Sequence, residues 1–347
     1  MSCNAVILLA LISADQKDGS GRPNSTQELL HRFRRDDFCI YCIFWAGSFS
    51  LMGTLTKIIM YFLRSQLSGW SEGTITEQRT RQEKSVRFFR LPKQIRSQKI
   101  TDFGVPAEWI DSPDSGAEVI LYLHGGAYAL GSINSHRELI ARLVLTTNCK
   151  ALAINYRLAP ENPFPAALED VIMAYEGVLS GGVAPSQICI AGDSAGGGLA
   201  IATLFALREQ GIPLPAGVFC FSPWLDLTLS GDSVRKNMNL DPILSGPILH
   251  KYVNYYIGNH ITNDPLISPL FGDLRGLPPI HIQSGRNEIL LDDSVRFYEK
   301  AQQAGVDVTL KIWDDMFHVF QLFSFLPETQ ESMKQVSAFI NRVLLVE

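Results

Sequence analysis

The stretch Ile188-Cys189-Ile190-Ala191-Gly192-Asp193-Ser194-Ala195-Gly196-Gly197 decides how this chain is read. Its first four residues are an apolar, strand-like run. The residues from Gly197 to Arg208 form an apolar helical run, so a G-x-S-x-G pentapeptide falls at a strand-to-helix junction. A side chain at so sharp a turn protrudes from the sheet, small neighbours avoid steric clash, and the helix N-terminus favours negative charge near its amides. The pentapeptide alone is a weak signal in a Gly-containing loop. Its placement at the junction supplies the specificity.

Outward from that junction, short apolar runs alternate with helical stretches. The runs are Glu118 to Leu123, Ala151 to Tyr156, Ile188 to Ala191, Gly217 to Phe221, Ile280 to Ser284 and Val308 to Trp313. Strands apolar on both faces and separated by about 30 or more residues predict an α/β fold with a mostly parallel sheet covered by helices. Trp224 to Pro279 is too long for a simple crossover and holds a helix-like stretch, Ile248 to Ile257. It is expected to fold out over the carboxyl ends of the strands as part of a lid, where open α/β sheets place their ligands.

A serine needs a base to remove its proton and preorganised donors to hold the oxyanion that follows. Leu123-His124-Gly125-Gly126-Ala127-Tyr128 follows the first strand run, and backbone N–H groups of Gly125, Gly126 and Ala127 are the expected oxyanion donors together with that of Ala195. His124 is read as a structural histidine that fixes this loop, because the chain order of such a fold puts the base after the nucleophile. Downstream, His281 lies inside a strand run, and His250 and His260 fall in the lid interval. His318, in Trp313-Asp314-Asp315-Met316-Phe317-His318, sits on a loop just after the last strand and is the best general base. The carboxylate that orients it belongs on a loop after a late strand. Glu288 is closest to the strand end, Asp292 is the runner-up, and Asp293 is read as solvating a helix start.

The chain has 347 residues, 46% hydrophobic and 19% charged, with a formal net charge of −5, which excludes disorder, collagen and small disulfide scaffolds. Residues 57–100 hold ten basic against three acidic side chains, whereas the main body after them is acidic and offers phosphate backbones little to bind, so no nucleic-acid partner is expected. Six scattered cysteines (Cys3, Cys39, Cys42, Cys149, Cys189, Cys220) make no disulfide framework and point to a reducing, cytoplasmic setting. Cys39 and Cys42 form a C-x-x-C without the βαβ context of a redox site or a second ligand pair for zinc. No metal-ligand cluster or phosphate-binding Gly loop is evident, so no cofactor or metal is expected.

The N-terminus reads less simply. Ala5 to Ala14 has the length of a signal-peptide core but no preceding Lys or Arg. Phe38 to Thr56 is 19 residues without a charge, flanked by Arg34-Arg35 and Lys57. It is long enough to span a bilayer, and the basic residues after it would keep the large domain cytoplasmic. The alternatives are a buried helix, or a leader preceding a true start at Met52. The expected organisation is a leader or membrane segment over 1–51, N-terminal cap helices over 52–100, and a catalytic domain over 101–347 with a cap insertion at about 225–262.

With these residues assembled, the chain resembles the hormone-sensitive-lipase-type branch of the α/β-hydrolases, the bacterial family IV carboxylesterases, over about residues 100 to 347. The resemblance rests on His124-Gly125-Gly126-Ala127-Tyr128, Asn155-Tyr156-Arg157-Leu158-Ala159-Pro160-Glu161, Gly192-Asp193-Ser194-Ala195-Gly196-Gly197, Ser222-Pro223-Trp224-Leu225-Asp226-Leu227, Asp264-Pro265, Leu277-Pro278-Pro279 and Phe317-His318-Val319-Phe320. It implies an α/β-hydrolase fold with a mostly parallel central sheet flanked by helices, and a helical cap built from the N-terminus and the segment after Trp224. It also implies Ser194 as nucleophile, His318 as base, and hydrolysis of short to medium acyl esters. Two positions depart from the family pattern: Ala127 stands for the third glycine of His-Gly-Gly-Gly, and Glu288 stands where Asp is usual. The competing functions are an amide or N-acetyl hydrolase on the same triad and a non-catalytic small-molecule receptor. The expected partner is a small-molecule ester, with membrane contact through the N-terminus and a homodimer as further options.

Overall fold

Strand residues alternate between two faces, and in this chain both faces are apolar. The computed structural model describes residues 72–86 and 91–344. Eight strands, β1 (Arg96–Ile100), β2 (Ala107–Asp111), β3 (Val119–Leu123), β4 (Lys150–Ile154), β5 (Ile188–Asp193), β6 (Gly217–Phe221), β7 (Ile280–Gly285) and β8 (Val308–Trp313), form one sheet in the order β1-β2-β4-β3-β5-β6-β7-β8. Strands β4, β3, β5, β6, β7 and β8 pair in parallel, while β2 runs antiparallel to both β1 and β4.

Two cores follow from that alternation. Leu121, Leu123, Leu152, Ile154, Ile190 and Cys220 point to one face, where α3 (Ala166–Ser180), α4 (Ala195–Glu209) and α7 (Leu291–Gln303) supply Val171, Leu199 and Phe297. The intervening Ile120, Tyr122, Ala153, Ala191 and Phe221 point to the other face, against α2 (Ile133–Thr147) and α8 (Pro327–Leu344) through Leu143, Val144, Val336 and Ile340. Full burial of each such aliphatic side chain contributes about 1.5–3 kcal/mol. Helix α2 starts at Ser132, whose hydroxyl accepts from the N–H of Ser135 while the Ser135 hydroxyl accepts from the N–H of Ser132, at 3.2 and 2.9 Å.

The N-terminal boundary needs correcting. Residues 75–86 form a helix, α1 (Ile75–Val86), within the range expected to be cap helices, but Arg96–Ile100 is a strand at the edge of the main sheet. Its sequence, Arg-Ser-Gln-Lys-Ile, is polar and exposed apart from Ile100, which packs against the core, as an edge strand can be. The insertion after β6 carries α5 (Ser233–Lys236) and α6 (Gly246–Ile257). The buried stripe of α6, Leu249, Tyr252, Val253 and Tyr256, has helical spacing, and the Tyr252 hydroxyl donates to Gln78 Oε1 of α1 at 2.7 Å. The Ala5 to Ala14 and Phe38 to Thr56 runs and the Cys39-Cys42 pair lie outside the described residues. Among those described, no helix is long and apolar enough to cross a membrane.

One ion pair locks the antiparallel end of the sheet to the helix layer. Glu108 on β2 is only 1% exposed, and both of its oxygens accept from Arg137 of α2, at 2.8 and 2.7 Å. Removing the cation strands a buried carboxylate, a loss of ~3–5 kcal/mol for fully buried pairs. Arg137 is partly exposed, so Arg137→Ala is expected to cost about 2–3 kcal/mol and to lower the thermal midpoint by several degrees. An unchanged midpoint in a thermal melt would show the pair to be dispensable.

Candidate active site

The carboxyl ends of β3, β5, β6, β7 and β8 lie side by side, with Leu123 paired to Gly192, Asp193 to Phe221 and Gly285 to Trp313. Every candidate catalytic side chain leaves the sheet along that edge. Ser194 sits between β5 and α4 with φ 53° and ψ −121°, a conformation that L-residues rarely adopt and that surrounding contacts must enforce. Its N–H donates to Phe221 O at 2.9 Å, and its carbonyl accepts from Trp224 N–H at 2.9 Å and Gly198 N–H at 3.1 Å. The turn also requires its glycines. A Cβ on Gly196 would lie 2.0 Å from Leu123 O, and one on Gly192 would lie 2.4 Å from Gly196 O.

The loops after β7 and β8 extend the sheet ladder: Arg286 N–H donates to Trp313 O and Asn287 N–H to Met316 O, each at 2.9 Å. They bring Glu288 and His318 together although 30 positions separate them. His318 Nε2 lies 2.9 Å from Ser194 Oγ, and His318 Nδ1 lies 3.3 Å from Glu288 Oε2, an ion-pair distance whose alignment falls short of a hydrogen bond. Glu288 is wholly buried and His318 nearly so. Burial disfavours the imidazolium, but the Glu288 carboxylate, followed by Asp241 and Asp193, outweighs it and raises the His318 pKa above the ordinary histidine value. The three residues named from sequence, Ser194, His318 and Glu288, are thus in one line of contact.

The other carboxylates go elsewhere. Asp292 accepts from Ser233 N–H at 2.9 Å, joining α7 to the insertion. Asp293, read as solvating the start of its own helix, is buried at 1% exposed and serves another segment: its Oδ2 accepts from the N–H groups of Leu225 and Asp226 at 2.8 and 2.9 Å. Burial, with the nearby Asp226 charge, pushes its pKa well up.

The oxyanion loop also departs from expectation at one residue. The Gly125 N–H is already committed to Asp193 Oδ1 at 3.1 Å, so it is not a free donor. The N–H groups of Gly126 and Ala127 donate to no described protein group, and that of Ala195 opens α4, where first-turn amides lack intrahelical partners. Ala127 itself has φ 53° and Tyr128 φ 58°. An alanine there accepts the left-handed cost of ~1–2 kcal/mol that a glycine would avoid.

Beneath the loop lies a buried network that sequence reasoning missed. Asp193 Oδ1 accepts from Tyr122 Oη at 2.8 Å, and Asp193 Oδ2 lies 3.2 Å from His136 Nε2. Burial opposes both charges, yet each favours the other: the Asp193 pKa is lowered and that of His136 raised. The only cue in the sequence was an acidic residue next to the serine, which a buried site must pair. His124 stacks on Tyr156 at 4.3 Å, and its pKa is lowered to about 3 by burial and by His136. It is therefore neutral, with Nδ1–H donating to Gly125 O at 2.8 Å. His281 is buried against Thr309 and Gln283, and His250 and His260 are exposed.

This arrangement has relatives. The sequence model of a family described by its alpha/beta hydrolase fold matches residues 120–322. An esterase of Acinetobacter venetianus is 40% identical over 255 residues, covering 73% of this chain and 84% of that protein. An acetyl-hydrolase of Streptomyces hygroscopicus is 43% identical over 235 residues, covering 67% of this chain and 79% of that protein. Among solved structures, an esterase from the bacterial hormone-sensitive lipase family superposes with a TM-score of 0.81 at 38% identity, covering 86% of this chain and 99% of that one. The chain belongs to the α/β-hydrolases and, within them, to the hormone-sensitive-lipase-type family IV esterases: it is a serine carboxylesterase-like hydrolase.

Proposed function

We infer that Ser194, His318 and Glu288 are the nucleophile, base and acid of an esterase that cleaves short to medium acyl esters through an acyl-enzyme. The observation that carries this reading is the 2.9 Å contact between Ser194 Oγ and His318 Nε2 at a left-handed turn on the sheet edge. In the first step Ser194 Oγ attacks the ester carbonyl while its proton passes to His318 Nε2, and the N–H groups of Gly126, Ala127 and Ala195 take the charge on the carbonyl oxygen. Collapse of the tetrahedral intermediate breaks the bond to the alcohol oxygen, which leaves with the proton from His318. Water then attacks the acyl-serine by the same route, returning a carboxylic acid and free Ser194. Glu288 stabilises the imidazolium at each step without itself taking the proton.

The short acyl range is supported by two relatives: the acetyl-hydrolase above, and EstE5, a structural neighbour at 39% identity solved after soaking with p-nitrophenyl butyrate. An acetyl group can be carried by oxygen or by nitrogen, so the acetyl-hydrolase also admits a second reading, in which the same triad removes the acyl group from nitrogen. Under the leading reading Ser194→Ala leaves folding intact and lowers p-nitrophenyl butyrate turnover by about a thousandfold or more. The wild-type chain also turns over the ester faster than the matching N-acyl anilide. The reverse substrate order would transfer the function to amides.

Glu288→Gln keeps the shape of the acid and removes its charge, and is expected to lower kcat by roughly a thousandfold. The pH dependence gives an independent sign. The base must be neutral to act, so kcat/KM falls as pH drops through the raised pKa of His318. Removing the Glu288 charge lowers that pKa, and the acid limb of the profile should move to lower pH. A limb that stays in place, or moves up, in a kcat/KM titration would assign the acid to another residue.

A further inference from the structure

Glu288 is wholly buried, yet no described protein group donates a hydrogen bond to either of its carboxylate oxygens. Its aim at His318 is therefore set by its backbone, and that backbone is held from the insertion after β6. Asn237 Nδ2 donates to Glu288 O at 2.9 Å and to Arg286 O at 3.0 Å. Four residues on, the buried Asp241 accepts the Ile289 N–H through Oδ2 at 3.0 Å. The carbonyl of Glu288 and the N–H of Ile289 belong to one peptide group, so that group is gripped at both ends by a single insertion segment. Asp241 Oδ1 accepts from the N–H groups of Ile243 and Leu244 at 2.8 and 3.0 Å, which fixes the carboxylate in turn. Burial raises the Asp241 pKa, and it is opposed by His318 and by these three N–H donors, which suit an ionised carboxylate, an acceptor-only group. The charges of Glu288, Asp241 and Asp193 all act on His318.

We propose that Asn237 and Asp241 are positioning residues for the acid–base pair: they clamp the Glu288-Ile289 peptide so that the Glu288 carboxylate meets His318, making the cap insertion part of the catalytic scaffold. The proposal rests on the reading of Glu288 as the acid. Misplacing a reacting group by about 1 Å costs up to roughly a hundredfold in rate, so small backbone shifts at this peptide are sufficient.

The test is p-nitrophenyl butyrate hydrolysis by the full chain carrying Asp241→Asn, Asn237→Ala, Glu288→Gln, or Asp241→Asn with Glu288→Gln. Each cap variant alone should lower kcat about tenfold to a hundredfold with KM within about twofold. Asp241→Asn removes a negative charge that acts on His318 and also loosens the clamp, and should move the acid limb of kcat/KM to lower pH. Asn237→Ala removes a neutral group, so its limb moves only through the loosened Glu288–His318 contact and should shift in the same direction by less. In the Glu288→Gln background Asp241→Asn should add less than about threefold, because the group it positions has already lost its function. Wild-type kcat in a cap variant, or an equal fold-loss from Asp241→Asn in both backgrounds, overturns the proposal while the acid assignment stands. Wild-type turnover in Glu288→Gln overturns the acid assignment and the proposal with it. Asn237 is half-buried at the end of a short helix, so Asn237→Ala at an unchanged thermal midpoint decides the matter if Asp241→Asn does not fold.

Discussion

The backbone of the first turn of α4 lies so close to the end of β3 that no side chain fits between them, and the rest of the site follows from that approach. With Gly196 against the Leu123 carbonyl, the turn at Ser194 is held in its left-handed conformation and the serine hydroxyl stands at the rim of the sheet. The same approach places the amide that opens α4 beside the loop that begins at His124. The proposed nucleophile and the donors proposed for its oxyanion are thereby fixed to one another before any substrate arrives, which is the form in which such donors are most effective.

That junction is secured electrostatically from below. Asp193 precedes Ser194 and reaches Tyr122 on β3, Gly125 of the loop after β3 and His136 on α2, so one carboxylate ties three elements together. On its other side, α1 holds the same loop and the segment after β4: Arg79 donates to Ala129 O and to Ala159 O at 2.8 and 2.7 Å, and Gln82 Oε1 accepts from Gly131 N–H at 2.9 Å. The N-terminal helix and the insertion after β6 thus each brace one loop of the site. One braces the oxyanion loop, the other the loop of Glu288.

Much of this was legible in the sequence, for reasons that differ between residues. Buried parallel strands favour near-continuous apolar runs, so β3, β4, β5 and β6 stood out, whereas β1 has four exposed polar residues and looks like a polar linker. Ser194 was marked by its turn, His318 by chain order and Glu288 by its nearness to a strand end. What depended on partners far along the chain was hidden. The glycine at 125 did not reveal that its N–H is taken by Asp193, the acidic residue at 293 resembled an ordinary first-turn residue, and nothing in the motif predicted His136. Asn237 and Asp241 sit in an interval without any signature, and their bonds to the loop of Glu288 exist only once the insertion has folded back.

In the proposed reaction the Ser194 hydroxyl, and no other group, carries the acyl chain during turnover. Rapid acid quench of the wild-type protein with p-nitrophenyl butyrate, followed by peptide mass spectrometry, addresses it directly. A butyryl adduct is expected on the peptide containing Ser194, formed in a burst with one equivalent of nitrophenol. An adduct on another residue, or steady turnover with no adduct under any quench, would contradict it.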